Sequence, residues 1–354
     1  MTGSEWFGSL PGGLNRYFES LYLALKALDS TTECNVTAAA FGEALPGGQT
    51  WGALDRPLPV RLAAASTPID VRPDGIVDRH FALYGYTAPV RGKAVSVTHF
   101  HGPWAAESAA SGSRAGIKFA VEKLLYRRSD AYIVLSESFK NLLVEQYSVA
   151  PDDVRVIPPG AELGHFRSTD IPQGPPLVVS ARRLEKRMGL DVLLAGWPSV
   201  VAEHPDAQLV IVGTGSYEVE LRRIASESPA AASITFEGRV SDERLAQLYA
   251  LATVTVVPSL SLEGFGLIAL ESLASGRAPI VTNCGGLPDS VVGLDSSLVV
   301  PPGDTGMLAM RISDALTGNH PTPAQCRAHA ETFDWQTIAR RHVNLYSTLL
   351  ERHS

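Results

Sequence analysis

The sequence predicts an α/β protein built from two Rossmann-like domains that face a cleft. Short apolar runs of strand length alternate with stretches of helix length in both halves of the chain, which is typical of βαβ units around a parallel sheet. The chain of 354 residues is also too long for one ordinary core and suits two domains of similar size. In such domains ligands bind at the carboxyl ends of the strands.

The first domain is predicted to span residues 1–170. Its strand candidates are Asn35–Ala40, Val95–Phe100, Tyr132–Leu135 and Arg155–Ile157, and its helix candidates are Leu14–Leu28, Ile117–Arg127 and Ser136–Gln146. The residues before the glycine loop at Gly8 are too polar for a parallel strand, so the first strand is either short or begins upstream. The segment Asp170–Pro176 predicts the linker, because Pro and Gly cluster there between two apolar runs.

The second domain is predicted to span residues 171–335 and repeats the alternation. Its strand candidates are Leu177–Ala181, Gln208–Val212, Ser233–Phe236, Val254–Val257 and Pro279–Thr282, and its helix candidates are Gly189–His204, Tyr217–Ser226, Asp242–Ala252 and Phe265–Ser275. An amphipathic segment from Phe333 to Tyr346 predicts a closing helix.

Composition excludes several classes of protein. A net charge of −7 argues against a nucleic-acid binder, whose phosphate contacts need a basic surface. Three widely spaced cysteines without a CxxC pair fit a reducing compartment and predict no metal site. The sequence shows neither a membrane-spanning apolar stretch nor a signal peptide, so we expect a cytoplasmic protein. Peripheral contact with a membrane stays open.

Two glutamates, Glu263 and Glu271, give the strongest functional signal. The helix Phe265–Ser275, with Gly276 as its stop, is apolar nearly all round and should be buried. Glu271 stands in its apolar stripe, where an ionised carboxylate is costly unless ligand hydroxyls hydrogen-bond to it. Glu263 lies just before the helix, where backbone N–H groups favour anions. Together they predict a pocket for a polyhydroxylated, anionic molecule such as a sugar nucleotide.

Cations and glycines at other predicted strand ends support an anionic ligand. Four cations lie within six residues after the strand Leu177–Ala181, in the run Arg182-Arg183-Leu-Glu-Lys186-Arg187. Arg offers two parallel hydrogen bonds to phosphate oxygens and Lys a point charge, although a solvated surface cluster is the alternative for Lys186. Gly12 and Gly13 open a helix, where glycine permits close approach of a ligand to the backbone.

Histidines end the strand Val95–Phe100 in the first domain. Alternation places His99 and His101 on the same side, and Gly102-Pro103 then ends the strand. By position at the strand end we choose His101 as the functional histidine, with His99 second and His80 third. The alternative for each is a structural histidine with its hydrogen bonds satisfied inside the domain.

The spacing Glu263-x7-Glu271, with Gly264-Phe265-Gly266 between, resembles the signature of retaining glycosyltransferases of the family-4 type, which have the two-domain GT-B fold. The resemblance implies that Glu263 contacts the donor sugar and Glu271 the nucleotide ribose. It also implies that a C-terminal helix, residues 336–354, packs back on the first domain. The first domain would then be the acceptor side and the second the nucleotide-sugar side.

The cation run resembles the Arg-Leu-x-x-x-Lys-Gly phosphate clamp of that family. In register with Arg183, the lysine position is Met188, so Arg187 or Lys186 must supply the second cation. The resemblance implies three catalytic residues, His101, Glu263 and Arg183. The donor-binding residues that it implies are Gly13, Arg183, Lys186, Arg187, Val240, Glu263, Gly264, Phe265, Gly266, Leu267 and Glu271.

The implied activity is a retaining, metal-independent transfer of a hexose from a nucleoside-diphosphate donor, of UDP or GDP type, to an acceptor hydroxyl. The acceptor would be a small molecule, a glycan or a lipid-linked molecule, and no cofactor is expected. Two alternatives stay open: a sugar-nucleotide epimerase of the same fold, and a non-catalytic sugar-nucleotide-binding partner subunit. A dehydrogenase is third, because the turn Gly213-Thr-Gly215 has Glu218 where a dinucleotide fingerprint needs its third glycine.

Overall fold

The computed structural model describes residues 1–10, 12–28, 35–66, 75–80, 84–85, 94–103, 115–126 and 129–353, without the side chains of 115, 117 and 118. The chain divides into two compact units, which we call unit 1 (Met1–Gly160 with Trp335–Ser354) and unit 2 (Ala161–Asp334). The predicted arginine at the end of the helix Ile117–Arg127 lies outside the described residues.

Unit 1 is built on a parallel sheet. Its described strands are β1 Thr2–Glu5, β2 Ala39–Phe41, β3 Gln49–Thr50, β4 Ile76–Arg79, β5 Val95–Phe100, β6 Ala131–Val134 and β7 Val154–Val156. They run in the order β3-β2-β1-β4-β5-β6-β7, so the order reverses between β1 and β4. Its helices include α1 Gly13–Leu28, α2 Leu58–Ala65, α3 Ala115–Tyr126 and α4 Glu137–Tyr147. One core cluster packs Phe100 and Val134 against Leu143 and Tyr147 of α4.

The strand β1 is short and central, although its sequence is polar. It pairs with β2 on one side and β4 on the other, and its four residues are all buried. Gly3 allows this, because a Cβ there would lie 2.8 Å from the ring of Phe18 in α1. Small residues let the helix pack directly onto the strand, so an apolar run is not needed here.

Unit 2 repeats the same strand order on a second parallel sheet. Its strands are β8 Leu177–Ala181, β9 Gln208–Val212, β10 Ile234–Gly238, β11 Val254–Val257, β12 Pro279–Thr282 and β13 Val299–Val300. They run in the order β10-β9-β8-β11-β12-β13, with the reversal between β8 and β11. Its helices are α5 Leu190–Glu203, α6 Glu218–Glu227, α7 Asp242–Leu251, α8 Leu267–Ala274, α9 Thr305–Leu316 and α10 Pro323–Glu331. Both orders are those of a Rossmann-like domain.

The border between the units differs from the predicted one at residue 170. Unit 2 begins at Ala161, whose N–H donates to the carbonyl of Phe333 at 2.8 Å. Arg277 is fully buried in unit 2 and donates to the carbonyls of Thr169 (2.7 Å) and Asp170 (3.0 Å). These bonds fix residues to unit 2 that the sequence had placed in the first domain.

The last helix, α11 Trp335–His353, belongs to unit 1. Its Trp335 ring lies 5.4 Å from the ring of Tyr17 in α1, in an edge-on contact. Gly160 permits the approach, since a Cβ there would lie 2.2 Å from the indole. The helix extends beyond the amphipathic segment that ended at Tyr346 and lies close to the predicted range 336–354. Among the described helices, none has the length and apolar character that crossing a membrane requires.

Candidate functional site

The carboxyl ends of β8 and β11 bring a buried ion pair together at the point where the strand order reverses. Arg182 follows β8 and is 6% exposed, and Glu263, beyond β11, is 8% exposed. Arg182 Nη2 donates to Glu263 Oε1 and to Ser259 Oγ (2.8 Å), and Ser259 Oγ donates to the same carboxylate oxygen at 3.2 Å. Arg187 Nη1 lies 3.8 Å from that oxygen. Two cations therefore face one carboxylate oxygen.

Close backbone packing fixes the position of Glu263. The N–H of Gly286 donates to the Glu263 carbonyl at 2.9 Å. Gly285 has a φ of +56°, and a Cβ there would lie 2.0 Å from the same carbonyl oxygen. Leu262, just before Glu263, has a φ of 59° in the left-handed region. The chain therefore holds the glutamate from both sides.

The glycines of the turn after β9 also allow close backbone packing, in this case against the segment that follows β8. Gly213 has a φ of +127°, and a Cβ there would lie 1.8 Å from the carbonyl oxygen of Arg182. A Cβ at Gly215 would lie 2.3 Å from the carbonyl oxygen of Leu184. The incomplete dinucleotide pattern at this turn therefore has a packing explanation.

The second glutamate of the spaced pair lies on a buried helix, as predicted. Glu271 is 6% exposed on α8, among buried neighbours such as Leu270 and Ala274. Gly266 begins the helix with a φ of +89°, and Gly276 follows its end with a φ of +75°. The helix is two residues shorter at its start than the predicted Phe265–Ser275, since α8 begins at Leu267.

The predicted cations fall in three different environments. Arg187 is largely buried and donates to the carbonyl of Leu262 at 3.2 Å, beside Glu263. Lys186 is 65% exposed in its side chain and pairs with Asp191 at 2.5 Å, and this hydrogen bond raises its pKa. Arg183 is exposed. Arg182, the first residue after the strand, stands in the predicted cation run but was not among the predicted donor-binding residues.

The other predicted donor residues are spread over both units. Phe265 is buried with its ring 5.5 Å from that of Phe333, so only its backbone is available to a ligand. Gly13 is the exposed first residue of α1 in unit 1. The remaining predicted positions in unit 2 are partly exposed: Val240, Gly264, Gly266 and Leu267.

The histidines of unit 1 gather where β4 and β5 end, also at a reversal of strand order. His80 and His99 are 1% and 3% exposed, and His101 is partly exposed. Asp78 of β4 lies beneath them, with its Oδ2 3.4 Å from His80 Nε2 and 3.1 Å from His99 Nε2. The Nδ1 of His80 is 3.2 Å from the Nε2 of His101. The three candidate histidines therefore form one cluster.

The helix α11 closes this cluster from the C-terminal end of the chain. Tyr346 donates to Asp78 Oδ2 at 2.5 Å. The ring of His342 stacks on that of His99, with centroids 5.3 Å apart and planes at 4°. Tyr17 Oη lies 3.4 Å from His342 Nε2. Sequence reasoning missed four residues of this cluster: Asp78, Tyr17, His342 and Tyr346. Asp78 was missed because the strand that carries it has no apolar pattern.

Burial keeps the histidines of this cluster uncharged. It lowers the pKa of His99 to about 4 and that of His342 to about 3, and it lowers the pKa of His101 well below its ordinary value. Burial opposes the ionisation of Asp78, yet the neighbouring His99 and His80 hold the pKa of its carboxyl well below the usual value. One ionised carboxylate is thus surrounded by neutral imidazoles.

Asp78 determines the tautomer of the partly exposed His101 through His80, which lies between them. Asp78 favours a proton on His80 Nε2, so His80 Nδ1 accepts a hydrogen bond. The partner at that nitrogen, His101 Nε2, is then the donor, at 3.2 Å. This assignment, from the closeness of the carboxylate to His80 and the contact between the two rings, leaves the Nδ1 of His101 with a free lone pair.

The same three histidines are the described residues to consider for a metal ion, since their nitrogens lie within 4.8 Å of one another. Their rings, however, are nearly parallel: the planes meet at 18° for His80 and His99, and at 29° and 21° for His101 with each. A metal ion bonds along the lone pair in each ring plane, and stacked planes do not converge on one point. The arrangement suits stacking and hydrogen bonding better than coordination.

Comparisons with known proteins agree on one family. The family model described as "Glycosyl transferases group 1" matches residues 164–333, and the one described as "Glycosyltransferase Family 4" matches residues 11–165. The two matches together span most of the chain and meet near the border between the two units.

Curated relatives carry glycosyltransferase names. The chain is 29% identical over 305 residues to a glycogen synthase of Mycobacterium tuberculosis, which covers 81% of this chain and 72% of the relative. It is 30% identical over 254 residues to a D-inositol 3-phosphate glycosyltransferase of Streptomyces scabiei, covering 66% of this chain and 57% of that protein. The chain therefore spans little more than half of the second relative.

Solved structures share the fold at low sequence identity. A sucrose-phosphate synthase from Thermosynechococcus elongatus superimposes with a TM-score of 0.79 at 24% identity, over 99% of both chains. HepE of Anabaena, in complex with UDP, superimposes with a TM-score of 0.75 at 17% identity, over 98% of this chain and 99% of that one.

Proposed function

The chain belongs to the family 4 glycosyltransferases of the GT-B fold, and from this membership we propose that it transfers a hexose from a nucleoside-diphosphate donor to an acceptor hydroxyl with retention of anomeric configuration. The proposed reaction needs no metal ion and no cofactor. The proposed acceptor is a hydroxyl of a small molecule, a glycan or a lipid-linked molecule, and the proposed location is the cytoplasm.

One observation carries the proposal: a cationic cluster and two buried glutamates lie around the reversal of strand order in unit 2. Cations here would stabilise the diphosphate as it leaves and charge develops on it. Arg187 is the proposed principal partner of its oxygens, and Arg183 and the exposed Lys186 are proposed as weaker partners. Glu263 would accept hydrogen bonds from hydroxyls of the donor sugar, and Glu271 from the ribose.

The proposed chemistry is substitution on the front face of the sugar. The acceptor oxygen forms a bond to the anomeric carbon while the bond to the diphosphate oxygen breaks. The departing phosphate oxygen takes the acceptor proton, so the protein supplies no acidic nucleophile. Its contribution is to hold the donor and to neutralise the leaving group, which the cations after β8 are suited to do.

His101 keeps the proposed role of contact with the donor sugar. With its Nε2 proton directed to His80, its Nδ1 would accept a hydrogen bond from a sugar hydroxyl. Because burial holds the pKa of His101 well below its ordinary value, the ring would do so as a neutral acceptor. His99 and His80 would then support it and not contact the donor.

Calorimetry with UDP, GDP, ADP and TDP tests the proposal. We expect selective micromolar binding of one nucleotide, weakened roughly tenfold or more in Glu271→Ala, because a hydrogen bond to a charged group is worth about 1.5–3 kcal/mol. Glu227→Ala, which removes an exposed glutamate of α6, should bind like the wild type. Folded wild type that binds none of the four would contradict the proposal.

Turnover of the donor separates transfer from epimerisation. An epimerase would convert the sugar nucleotide in the absence of any acceptor, whereas a transferase would consume it only slowly by hydrolysis. We expect the donor to stay largely intact without acceptor, and EDTA to leave the rate of transfer unchanged once an acceptor is found. Rapid conversion of the donor to its epimer would favour the alternative.

A further inference from the structure

The carboxyl end of β1 in unit 1 carries an ion pair that the proposed function does not use. Glu5, the last residue of β1, is 9% exposed, and Arg61 of α2 donates from Nη2 to its Oε1 at 2.5 Å. The strand order reverses beside β1, so this is the edge of the sheet at which such domains bind ligands. Arg61 is also the one charged residue of α2, whose other side chains are all apolar. A single cation in such a helix needs an explanation.

Packing alone does not account for the pair. The rings of Phe41 and Tyr84 lie 4.4 Å and 5.2 Å from the Arg61 guanidinium, and Trp51 and Leu54 pack against the same cluster. In apolar surroundings, replacing an ion pair by apolar side chains is often neutral or stabilising. Arg61 Nε is buried and has no hydrogen-bond partner among the residues that the structure describes. The guanidinium thus keeps hydrogen-bonding capacity that the fold does not use.

Neighbouring groups fix the orientation of both charges. Asn15 of α1 donates from Nδ2 to Glu5 Oε2 at 3.4 Å and to the carbonyl of Leu10 at 2.8 Å. The Arg61 guanidinium lies over the ring of Phe41, and this cation–π attraction does not use its N–H groups. The side chains of Arg61 and Glu5 are 17% and 11% exposed, so neither is sealed from solvent. A carboxylate and a guanidinium are therefore held side by side at the ligand-binding edge.

We propose that Glu5 and Arg61 bind the acceptor of the transfer reaction and select an uncharged sugar or polyol. The carboxylate accepts a hydrogen bond from one acceptor hydroxyl, and the guanidinium donates to a neighbouring hydroxyl. The partly buried Trp51 supplies apolar surface for the C–H groups of the ring. This inference rests on the proposed function and deepens it, because it names the class of acceptor and two residues that hold it.

The balance of charge favours an uncharged acceptor. In unit 2 two guanidinium groups face one carboxylate oxygen, whereas here one guanidinium faces one carboxylate. The pair therefore has no net charge to offer an anion, and a phosphate placed on Arg61 would meet the carboxylate of Glu5 at close range. Like charges at such a distance oppose binding. A hydroxyl both donates and accepts, so two neighbouring hydroxyls satisfy the carboxylate and the guanidinium together.

Initial rates of nucleoside-diphosphate release test the inference. The donor is UDP-glucose, GDP-mannose, ADP-glucose or TDP-glucose, according to the diphosphate that binds tightest. The uncharged probes are methyl α-D-glucoside, maltose and myo-inositol, and the charged probe is glucose 6-phosphate. We expect an uncharged probe to stimulate release most, and Glu5→Gln and Arg61→Met each to raise its KM about tenfold or more, because each removes a hydrogen bond to a charged group. The affinity for the diphosphate should stay within about twofold of wild type, since both residues lie in unit 1.

A double variant separates binding from a structural role. Arg61→Met leaves the Glu5 carboxylate without its cation, which lowers stability. Glu5→Gln combined with Arg61→Met removes both charges and should fold, as circular dichroism would show. We expect its KM to be raised about as much as in either single variant, because the two groups act on the acceptor together. Asp55→Asn and Arg340→Met, at exposed positions of unit 1, should keep the wild-type KM.

Three outcomes would overturn this inference alone. Strongest stimulation by glucose 6-phosphate would mean that the acceptor is an anion. A folded double variant with the wild-type KM would mean that the pair only supports the fold. No stimulation by any of the four probes, in protein that binds a nucleoside diphosphate, would exclude the proposed class of acceptor. Wild type that binds no nucleoside diphosphate would contradict the proposed function and this inference with it.

Discussion

The two units place polar clusters at the same point of the same strand order, and the two clusters differ in the groups that surround their carboxylate. In unit 1, where β1 and β4 diverge, Asp78 is enclosed by neutral imidazoles and by Tyr346. In unit 2, where β8 and β11 diverge, Arg182 and Arg187 face the single carboxylate of Glu263. The first cluster holds one buried carboxylate among neutral rings and suits the positioning of a side chain. The second brings two guanidinium groups to one carboxylate and suits the binding of an anion.

The largest effect on stability should come from removing the carboxylate of Asp78 from the histidine cluster of unit 1. Asp78→Ala leaves the Tyr346 hydroxyl without its acceptor and removes the carboxylate that lies beside the imidazoles, so we expect the free energy of unfolding to fall by about 3 kcal/mol. Urea denaturation measures this. Asp55→Ala, at an exposed position of the same unit, should change it by no more than about 0.5 kcal/mol. Equal stability of the two variants would contradict this role of Asp78.

Acid should destabilise unit 1 before unit 2. The pKa of His99 is about 4 in the folded protein, below the ordinary 6.5, so the unfolded chain takes up the proton first. Stability is therefore complete above pH 6.5 and falls toward pH 4, by about 3 kcal/mol for His99 alone. His342 extends the loss toward pH 3. The histidines of unit 2 are all at least partly exposed.

Hydrogen exchange at pH 7.5 and pH 5 reports the two units separately. We expect the strands of unit 1 to lose protection at pH 5 while those of unit 2 keep most of theirs. His342→Gln, which removes one of the buried titrating groups, should reduce the difference between the two pH values. Equal protection of unit 1 at both values would mean that its histidines are not held neutral.

A smaller effect should come from disturbing the glycine that packs against the backbone of Glu263. Gly285→Ala combines a left-handed φ with a collision against the Glu263 carbonyl, so we expect a loss of about 2 kcal/mol in unfolding free energy and weaker binding of nucleotide. Gly318→Ala has a similar φ of +95° in open space and should cost about 1 kcal/mol with normal binding. If Gly318→Ala also weakened binding, the effect would not be local to the site.

The smallest effects concern two of the predicted cations, whose contributions to diphosphate binding should differ. Arg187→Ala should weaken diphosphate binding about tenfold, because it removes a largely buried charge beside Glu263. Lys186→Ala should weaken it by no more than about twofold, since that side chain is exposed and already paired with Asp191. Calorimetry of both variants measures the loss of diphosphate affinity in each. A larger loss with Lys186→Ala would indicate that the phosphate site lies nearer the surface.

The strands of unit 2 were more predictable than those of unit 1. The predictions for β8, β9, β11 and β12 are confirmed at both ends, because each is an apolar or β-branched run bounded by polar, Pro or Gly residues. β4 was missed, since it carries Asp78 and Arg79 where a buried strand is expected to be apolar. The hydroxyl of Tyr346, which donates to Asp78 Oδ2, comes from a helix far away in the sequence. The alternation of apolar and polar residues does not reveal a strand of this kind.

The helices α9 and α10 were missed although local signals mark them. Asp304 caps α9 by accepting from the N–H of Met307 at 2.9 Å. Thr322 and Gln325 form a capping box at the start of α10. The spaced glutamates, in contrast, stood out from sequence because a carboxylate in an apolar helix is rare. Arg182 did not, because its burial depends on Glu263, 81 residues further along the chain.

Hydrogen exchange of the full chain, with and without the nucleoside diphosphate that it binds tightest, tests most directly where the donor binds. The charged cluster predicts new protection at residues 182–189 and 259–267 of unit 2. It predicts little change at 76–80 of unit 1, where the buried carboxylate lies among neutral rings. Protection confined to unit 1, with none in those two loops, would contradict the assignment of the donor site to the charged cluster.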